Sequence, residues 1–158
     1  MTRAILIFLS VASLVIADQA TKHLAEANIS TASPVELLPF LSLVNVRNEG
    51  AAFGLFRSFG NIFFVSVSAL AIGFIVYLLW RGKESTASLV LILSGAIGNL
   101  IDRLLYGYVR DFADLHAGGL HWPAFNVADS CLTVGIAVLL ITSLIKRPSM
   151  QAAKEKEA

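Results

Sequence analysis

Four apolar runs set the outline of what this chain can become: Ala4–Ala17, Asn61–Trp80, Ala87–Leu105 and Val127–Ile145. The last three approach the ~20 residues needed to cross a hydrocarbon core roughly 30 Å thick. In that medium a segment must satisfy its own backbone N–H and C=O groups, so single runs of this length become helices. The first run is shorter. It reaches spanning length when the helix continues through Asp18, Gln19, Ala20 and Thr21 to Lys22, which sets Asp18 and Lys22 one turn apart near its exit. A cleavable signal peptide, with Arg3 as its basic start and Ala4–Ala17 as its apolar core, is the rival reading.

Charge placement favours four spans over three. With the N-terminus inside, the cytoplasmic segments hold Arg3, Arg81, Lys83, Lys146, Arg147, Lys154 and Lys156, while the outer side keeps Lys22, Arg47, Arg57, Arg103 and Arg110. That bias puts both termini in the cytoplasm. A composition of 56% hydrophobic and 15% charged residues, with a mean hydropathy of +0.74, excludes an ordinary soluble domain. The expected fold is an all-α integral membrane protein with a small extracytoplasmic β-containing loop region. One domain over residues 1–147 would hold spans near 4–24, 60–80, 86–105 and 127–146, and residues 148–158 would form a disordered cytoplasmic tail.

Between the spans, Glu26–Pro39 is polar and interrupted by Pro34 and Pro39, and reads as a surface connection. Phe40 to Val46 has partial alternation and predicts a short strand entering a turn at Asn48-Glu49-Gly50. Ala51–Phe56 is apolar but too short to cross, and is expected to lie against the bilayer surface as a lip.

The chemistry-bearing residues gather at one membrane face. Asp111 lies just past the third run and Asp129 opens the fourth, so antiparallel spans bring them to the same side. Carboxylates at or inside a bilayer are costly enough to mark function, and two converging ones suggest a shared acid/base site. In the third span Gly95, Gly98, Asn99, Asp102 and Arg103 are separated by threes and fours and share a helix face. The glycines allow close helix approach. Asp102 and Arg103 are adjacent and point apart, so each serves a separate partner or Arg103 snorkels to the interface. Asn126, three residues before Asp129, is placed to cap the fourth helix or to hold a carboxylate.

Other chemistries find less support. The net charge of +1 and the lack of a basic, aromatic-laced patch give no argument for nucleic acid. Cys131, the single cysteine, lies in the fourth span and reads as a packing residue. His116, His121 and Asp114 could make a weak loop metal site, but solvated loop histidines are the better reading, and no metal or cofactor is expected. A proton-coupled transporter would also place Asp, Asn and Arg in spans, yet internal repeats are missing and the acids cluster at one face rather than the midplane. A membrane scaffold would leave isosteric Asp→Asn changes silent.

Five blocks carry a family resemblance: Asp18-Gln-x-x-Lys22, Asn48-x-Gly50-Ala-Ala-Phe53, Gly95-Ala-x-Gly98-Asn99-x-x-Asp102-Arg103, Val109-x-Asp111-Phe112 and Phe125-Asn126-x-Ala128-Asp129-Ser130. In this order and spacing they resemble the bacterial lipoprotein signal peptidases, the type II signal peptidases. The resemblance implies a four-span aspartyl protease of the inner membrane with its site at the outer face. Its substrate would be a diacylglyceryl-modified prolipoprotein, cut before the lipidated cysteine, and its other partners membrane lipids. It would work as a monomer. Asp111 and Asp129 match the catalytic pair, while Asn48, Gly50, Asn99, Asp102, Arg103 and Asn126 match supporting positions around substrate and pair. Asp18 and Lys22 match a block whose expected role is a structural ion pair. Arg110 departs from the family pattern, where an aliphatic residue is more usual, and leaves the local charge at the pair open.

Overall fold

The computed structural model describes residues 2–50 and 60–156, with side chains to Ile145. Its elements run in the order α1 (Thr2–Asn28), β1 (Val35–Leu38), β2 (Leu41–Asn48), α2 (Gly60–Arg81), α3 (Thr86–Tyr106), β3 (Val109–Ala117), β4 (Leu120–His121) and α4 (Val127–Lys156). All four helices are long and apolar enough to cross a membrane. The chain is a four-span membrane protein carrying a small four-stranded sheet. The first helix is longer than expected and takes in Glu26, and the backbone of the fourth continues past the expected boundary at 146. The Ala51–Phe56 segment lies outside the described residues.

The third helix is the enclosed one: 61% of its spanning window is buried, against 11–17% for the other three. It packs against α1, α2 and α4. Those outer helices turn large apolar side chains such as Phe8, Leu70, Trp80 and Leu140 outward, as a lipid-facing surface requires. Small residues let α3 and α4 approach closely. A Cβ built on Gly95 would fall 2.7 Å from Leu132 Cγ, and one on Gly135 2.7 Å from Ile92 Cγ1. Ser85 caps the start of α3, and Gly107 ends it in the left-handed conformation at φ 82°.

The sheet has the order β1-β2-β3-β4, antiparallel throughout. Three of its strands, β1, β3 and the short β4, were not expected. β1 lies inside the stretch read as a surface connection; its four residues are all exposed and bounded by Pro34 and Pro39, which suits an edge strand and masks a periodicity. β3 corrects a larger expectation, because Asp111 projects from a strand that follows the Gly107 cap and not from the end of a helix. The strand anticipated at Phe40–Val46 is present as β2, followed by the anticipated turn, in which Gly50 N–H donates to Asn48 Oδ1 at 3.0 Å.

Candidate active site

Backbone pairing delivers the two aspartates to one place. Phe125 bridges β3, with Ala113 N–H donating to Phe125 O at 2.9 Å and Phe125 N–H to Ala113 O at 2.9 Å. This seats the start of α4 beside Asp111. Asn126 is the hub between them. Its amide Nδ2 donates to Asp111 Oδ1 at 2.6 Å, while its Oδ1 accepts from Asp129 N–H at 2.9 Å and its own N–H lies 3.3 Å from Asp129 Oδ2. The last two contacts form a reciprocal capping box at the helix start. Both readings of Asn126 made from sequence, cap and carboxylate holder, hold at once.

The remaining carboxylate oxygens are also engaged. Asn48 Nδ2 donates to Asp111 Oδ2 at 2.9 Å, and Asn99 Nδ2 donates to Asp129 Oδ1 at 2.8 Å. Asp111 is only 2% exposed. Burial, then the charge of Asp129, pushes its carboxyl from an ordinary 3.8 up to about 7 against the hydrogen bonds of Asn48 and Asn126. A buried carboxyl facing a second one holds its proton into the neutral range.

Asp129 lines a cavity of about 640 Å³ together with Asn48, Gly50, Asn99 and Arg103 on its polar side. Phe64 of α2, Trp122 and Phe125 near the sheet, and Leu132 and Val134 of α4 supply apolar wall. Polar groups thus converge at one end of a largely apolar recess, the usual form of a ligand site.

Arg103 and Asp102 serve separate partners, one of the two outcomes their adjacency allowed. Arg103 Nη2 donates to Gly50 O at 2.7 Å, and its guanidinium lies 4.2 Å from the Phe64 ring centre. Asn61 of α2 donates to Arg103 O at 2.9 Å and so closes the end of α3. Asp102 is fully buried and turned toward α1 and β3.

Asp18 and Lys22 form the expected ion pair, at 2.8 Å, but fully buried and wired to the site. Lys22 Nζ also donates to Asn99 Oδ1 at 3.0 Å and lies 3.4 Å from Asp102 Oδ2. Asp18 Oδ1 accepts from Ala128 N–H at 2.8 Å, so the first helix caps the fourth. Gln19, unremarked in sequence although it sits inside the first block, reaches Asp102 Oδ1 at 3.1 Å and Gly98 O at 3.1 Å. Its signal was there: an amide between two residues of an intramembrane pair has no lipid-facing use.

Arg110 turns away from Asp111 and Asp129, as strand alternation demands of a neighbour of Asp111. It meets Asp102, Gln19 and Glu26 instead. Burial opposes its charge, but Asp102 and then Glu26 outweigh that and raise its pKa above the ordinary arginine value. Of the loop histidines, His116 Nε2 lies 3.0 Å from Ser42 Oγ and His121 Nδ1 2.8 Å from Asp114 Oδ2. Among the described residues no cluster has the geometry to hold a metal ion.

This arrangement can be set against known proteins. A profile described as Signal peptidase (SPase) II matches residues 10–145. The chain belongs to the signal peptidase II family. It is 46% identical over 138 residues to a lipoprotein signal peptidase of Thermodesulfovibrio yellowstonii, covering 87% of this chain and 94% of that one. It is 45% identical over 140 residues to a lipoprotein signal peptidase of Burkholderia thailandensis, covering 85% and 84%. A bacterial membrane enzyme solved by the in meso method at 2.3 Å superposes with a TM-score of 0.79 at 34% identity, over 90% of this chain and 89% of that chain. A second, solved at 1.9 Å, gives 0.77 at 33% identity over 87% and 92%. As a signal peptidase II, the chain is a membrane-embedded peptidase that processes lipoproteins.

Proposed function

We propose that the chain is an intramembrane aspartyl endopeptidase that removes the signal peptide from diacylglyceryl-modified prolipoproteins, cutting before the lipidated cysteine with Asp111 and Asp129 as the catalytic pair. One observation carries this reading: a single residue, Asn126, meets both carboxyls, Asp111 through its side-chain amide and Asp129 through its backbone N–H, and Asp129 opens directly onto the cavity. Peptide hydrolysis by such a pair needs one carboxylate to take a proton from water and one carboxylic acid to polarise the scissile carbonyl. On collapse of the resulting diol, the proton taken from water goes to the departing amine and a diol hydroxyl returns its proton to the other carboxylate, so the pair ends singly protonated. Asp111, with its pKa pushed to about 7, supports a pair that shares one proton near neutrality. The apparent values belong to the pair.

Asn48, Asn99 and Asn126 keep the carboxyl oxygens aimed, and Arg103 with Gly50 forms the polar wall where a substrate backbone can lie. The apolar wall of Phe64, Leu132 and Val134 suits the acyl chains of the substrate. Each buried methylene contributes about 0.8 kcal/mol, so lipid burial alone can dominate recognition. The protein acts as a monomer in the inner membrane. Its site opens at the outer face and both termini are cytoplasmic. Arg3 donating to Thr86 at 3.0 Å supports the N-terminus and the 82–85 connection sharing one face, opposite the aspartates.

The test is cleavage of a diacylglyceryl-modified precursor peptide by purified protein in micelles, with and without a chelator. The wild type should cut before the lipidated cysteine regardless of chelator. Asp111→Asn and Asp129→Asn should each lose at least ~10²–10⁴-fold in turnover while still binding the peptide. The double variant should be little worse than either single one, since the two act as a unit. Near-normal turnover in either variant, or a requirement for added divalent metal, refutes the reading.

A further inference from the structure

Arg110 sits beside Asp111 in sequence and has no direct contact with either aspartate, yet it is one of the most heavily tied side chains in the protein. Its side chain is 6% exposed. Nη2 donates to Asp102 Oδ1 at 2.9 Å and to Gln19 Oε1 at 3.0 Å, Nε lies 3.3 Å from Asp102 Oδ2, and Nη1 lies 3.2 Å from Glu26 Oε2. The Tyr106 ring centre is 4.4 Å from its Cζ. Its backbone is engaged as well: the N–H donates to Asp102 Oδ2 at 2.9 Å, and the C=O lies 3.4 Å from Asn126 Nδ2. One residue thereby pins the strand bearing Asp111 to α1, to α3 and to the cap of α4.

The charge arrangement gives this tie a second consequence. Two fully buried carboxylates, Asp18 and Asp102, lie within reach of the Lys22 ammonium, at 2.8 and 3.4 Å. Arg110 occupies both oxygens of Asp102 through its fork and its own N–H. Lys22 is therefore free to direct a proton at Asn99 Oδ1, 3.0 Å away. That contact sets which way the Asn99 amide points, because its oxygen must face the ammonium and its nitrogen must then face Asp129 Oδ1, 2.8 Å away. Without a cation at position 110, Asp102 would keep only Lys22 and Gln19 as side-chain partners and would draw Lys22 toward itself.

We infer that Arg110 is a positioning residue for the aspartate pair, acting on Asp111 through the strand backbone and on Asp129 through the chain Asp102, Lys22 and Asn99. The inference rests on Asp111 and Asp129 being the catalytic pair. It reaches beyond that reading by giving a role to a residue that the matched blocks leave unassigned. A misplacement near 1 Å can cost ~10²-fold in rate, so a tie of this kind acts on turnover more than on substrate affinity.

The experiment measures kcat and KM for the diacylglyceryl-modified precursor peptide with wild type, Arg110→Leu, Arg110→Lys, Asp102→Asn and the Arg110→Leu/Asp102→Asn double variant, each normalised to folded protein by a thermal melt. Failure of the wild type to cut the peptide would remove the underlying reading and is distinct from any result among the variants. Arg110→Leu should lose about tenfold or more in kcat with KM within about twofold. Arg110→Lys, which keeps the charge and loses the fork, should recover part of that loss. The double variant should lose less than the product of the two single losses, since removing the Asp102 charge relieves the pull on Lys22. Wild-type kcat per folded molecule in Arg110→Leu, a rise in KM alone, a lysine variant no better than the leucine one, or strictly multiplicative losses would each overturn the inference.

Discussion

Replacing Asp111 with asparagine should separate the stability of this protein from its activity in a pH-dependent way. The wild-type carboxyl is held near pKa 7 in the folded protein against an ordinary 3.8, so between those values the native state keeps a proton that the unfolded chain has released. Native stability attached to this group is therefore full below pH 3.8, falls as pH rises, and is lost once pH passes about 7. From pH 5 to pH 8 the carboxyl crosses about two pH units below its native pKa, which corresponds to roughly 3 kcal/mol. Asparagine at 111 does not ionise. It costs one hydrogen bond, because Asn48 and Asn126 both donate to the wild-type carboxyl and an amide offers one oxygen, but that cost of about 1 kcal/mol is the same at every pH. At about 2–4 °C per kcal/mol for a chain of this size, Asp111→Asn should gain on the order of 6–12 °C relative to wild type between pH 5 and pH 8. Melts of both proteins in one detergent at the two pH values, followed by intrinsic fluorescence, measure it. A wild-type-to-variant difference that stays constant with pH refutes the argument that burial and Asp129 hold a proton on Asp111.

Three further outcomes follow from the same geometry. Asn99→Ala removes the donor to Asp129 and the acceptor for Lys22 together, so specific activity should fall at least about tenfold while the protein still inserts; reduced yield with unchanged specific activity would make the residue merely structural. Gly98→Ala puts a Cβ 2.6 Å from Asp18 Oδ2 and 3.1 Å from Ala128 Cβ, and should cost about 1–3 kcal/mol of stability by overpacking, read as a lowered melting temperature. Reporters fused after Ile145 or within Arg81–Ser85 should read as cytoplasmic and reporters near Ser33 and Gly118 as external; a cytoplasmic signal at Gly118 would move the aspartates off the outer face.

The helices were legible because the bilayer permits little else to a long apolar run, and the small-residue stripe on the third span announced its packing. The sheet was harder to read. β1 is exposed on every residue, so no burial pattern marks it, and in β3 the buried Arg110 and Asp111 interrupt the apolar alternation that would mark a strand. Buried charges are placed there by polar partners on distant elements, Asp102 and Glu26 on one side, Asn48 and Asn126 on the other, and local pattern cannot register those. The pairing of Asp18 with Lys22 was legible from their spacing; their connection to Asn99 depends on how α1 leans on α3, which spacing along one helix does not encode.

The bridge between Ala113 and Phe125 separates what can vary in such a chain from what cannot. The hairpin from Asp114 to Ala124 leaves and returns to a clamped point, so residues added at its Gly118-Gly119 tip change only the length of a loop, at about 0.6 kcal/mol for each doubling. From Phe125 to Asp129 there is no such slack. Phe125 is tied to β3, Asn126 begins the helix, and Asp129 closes the capping box back onto it, so one inserted residue would rotate the carboxyl about 100° around the helix axis and out of reach of Asn99. The hairpin tip can lengthen while the few residues after Phe125 must stay fixed in number, and this stretch works as a ruler whose marks are hydrogen bonds.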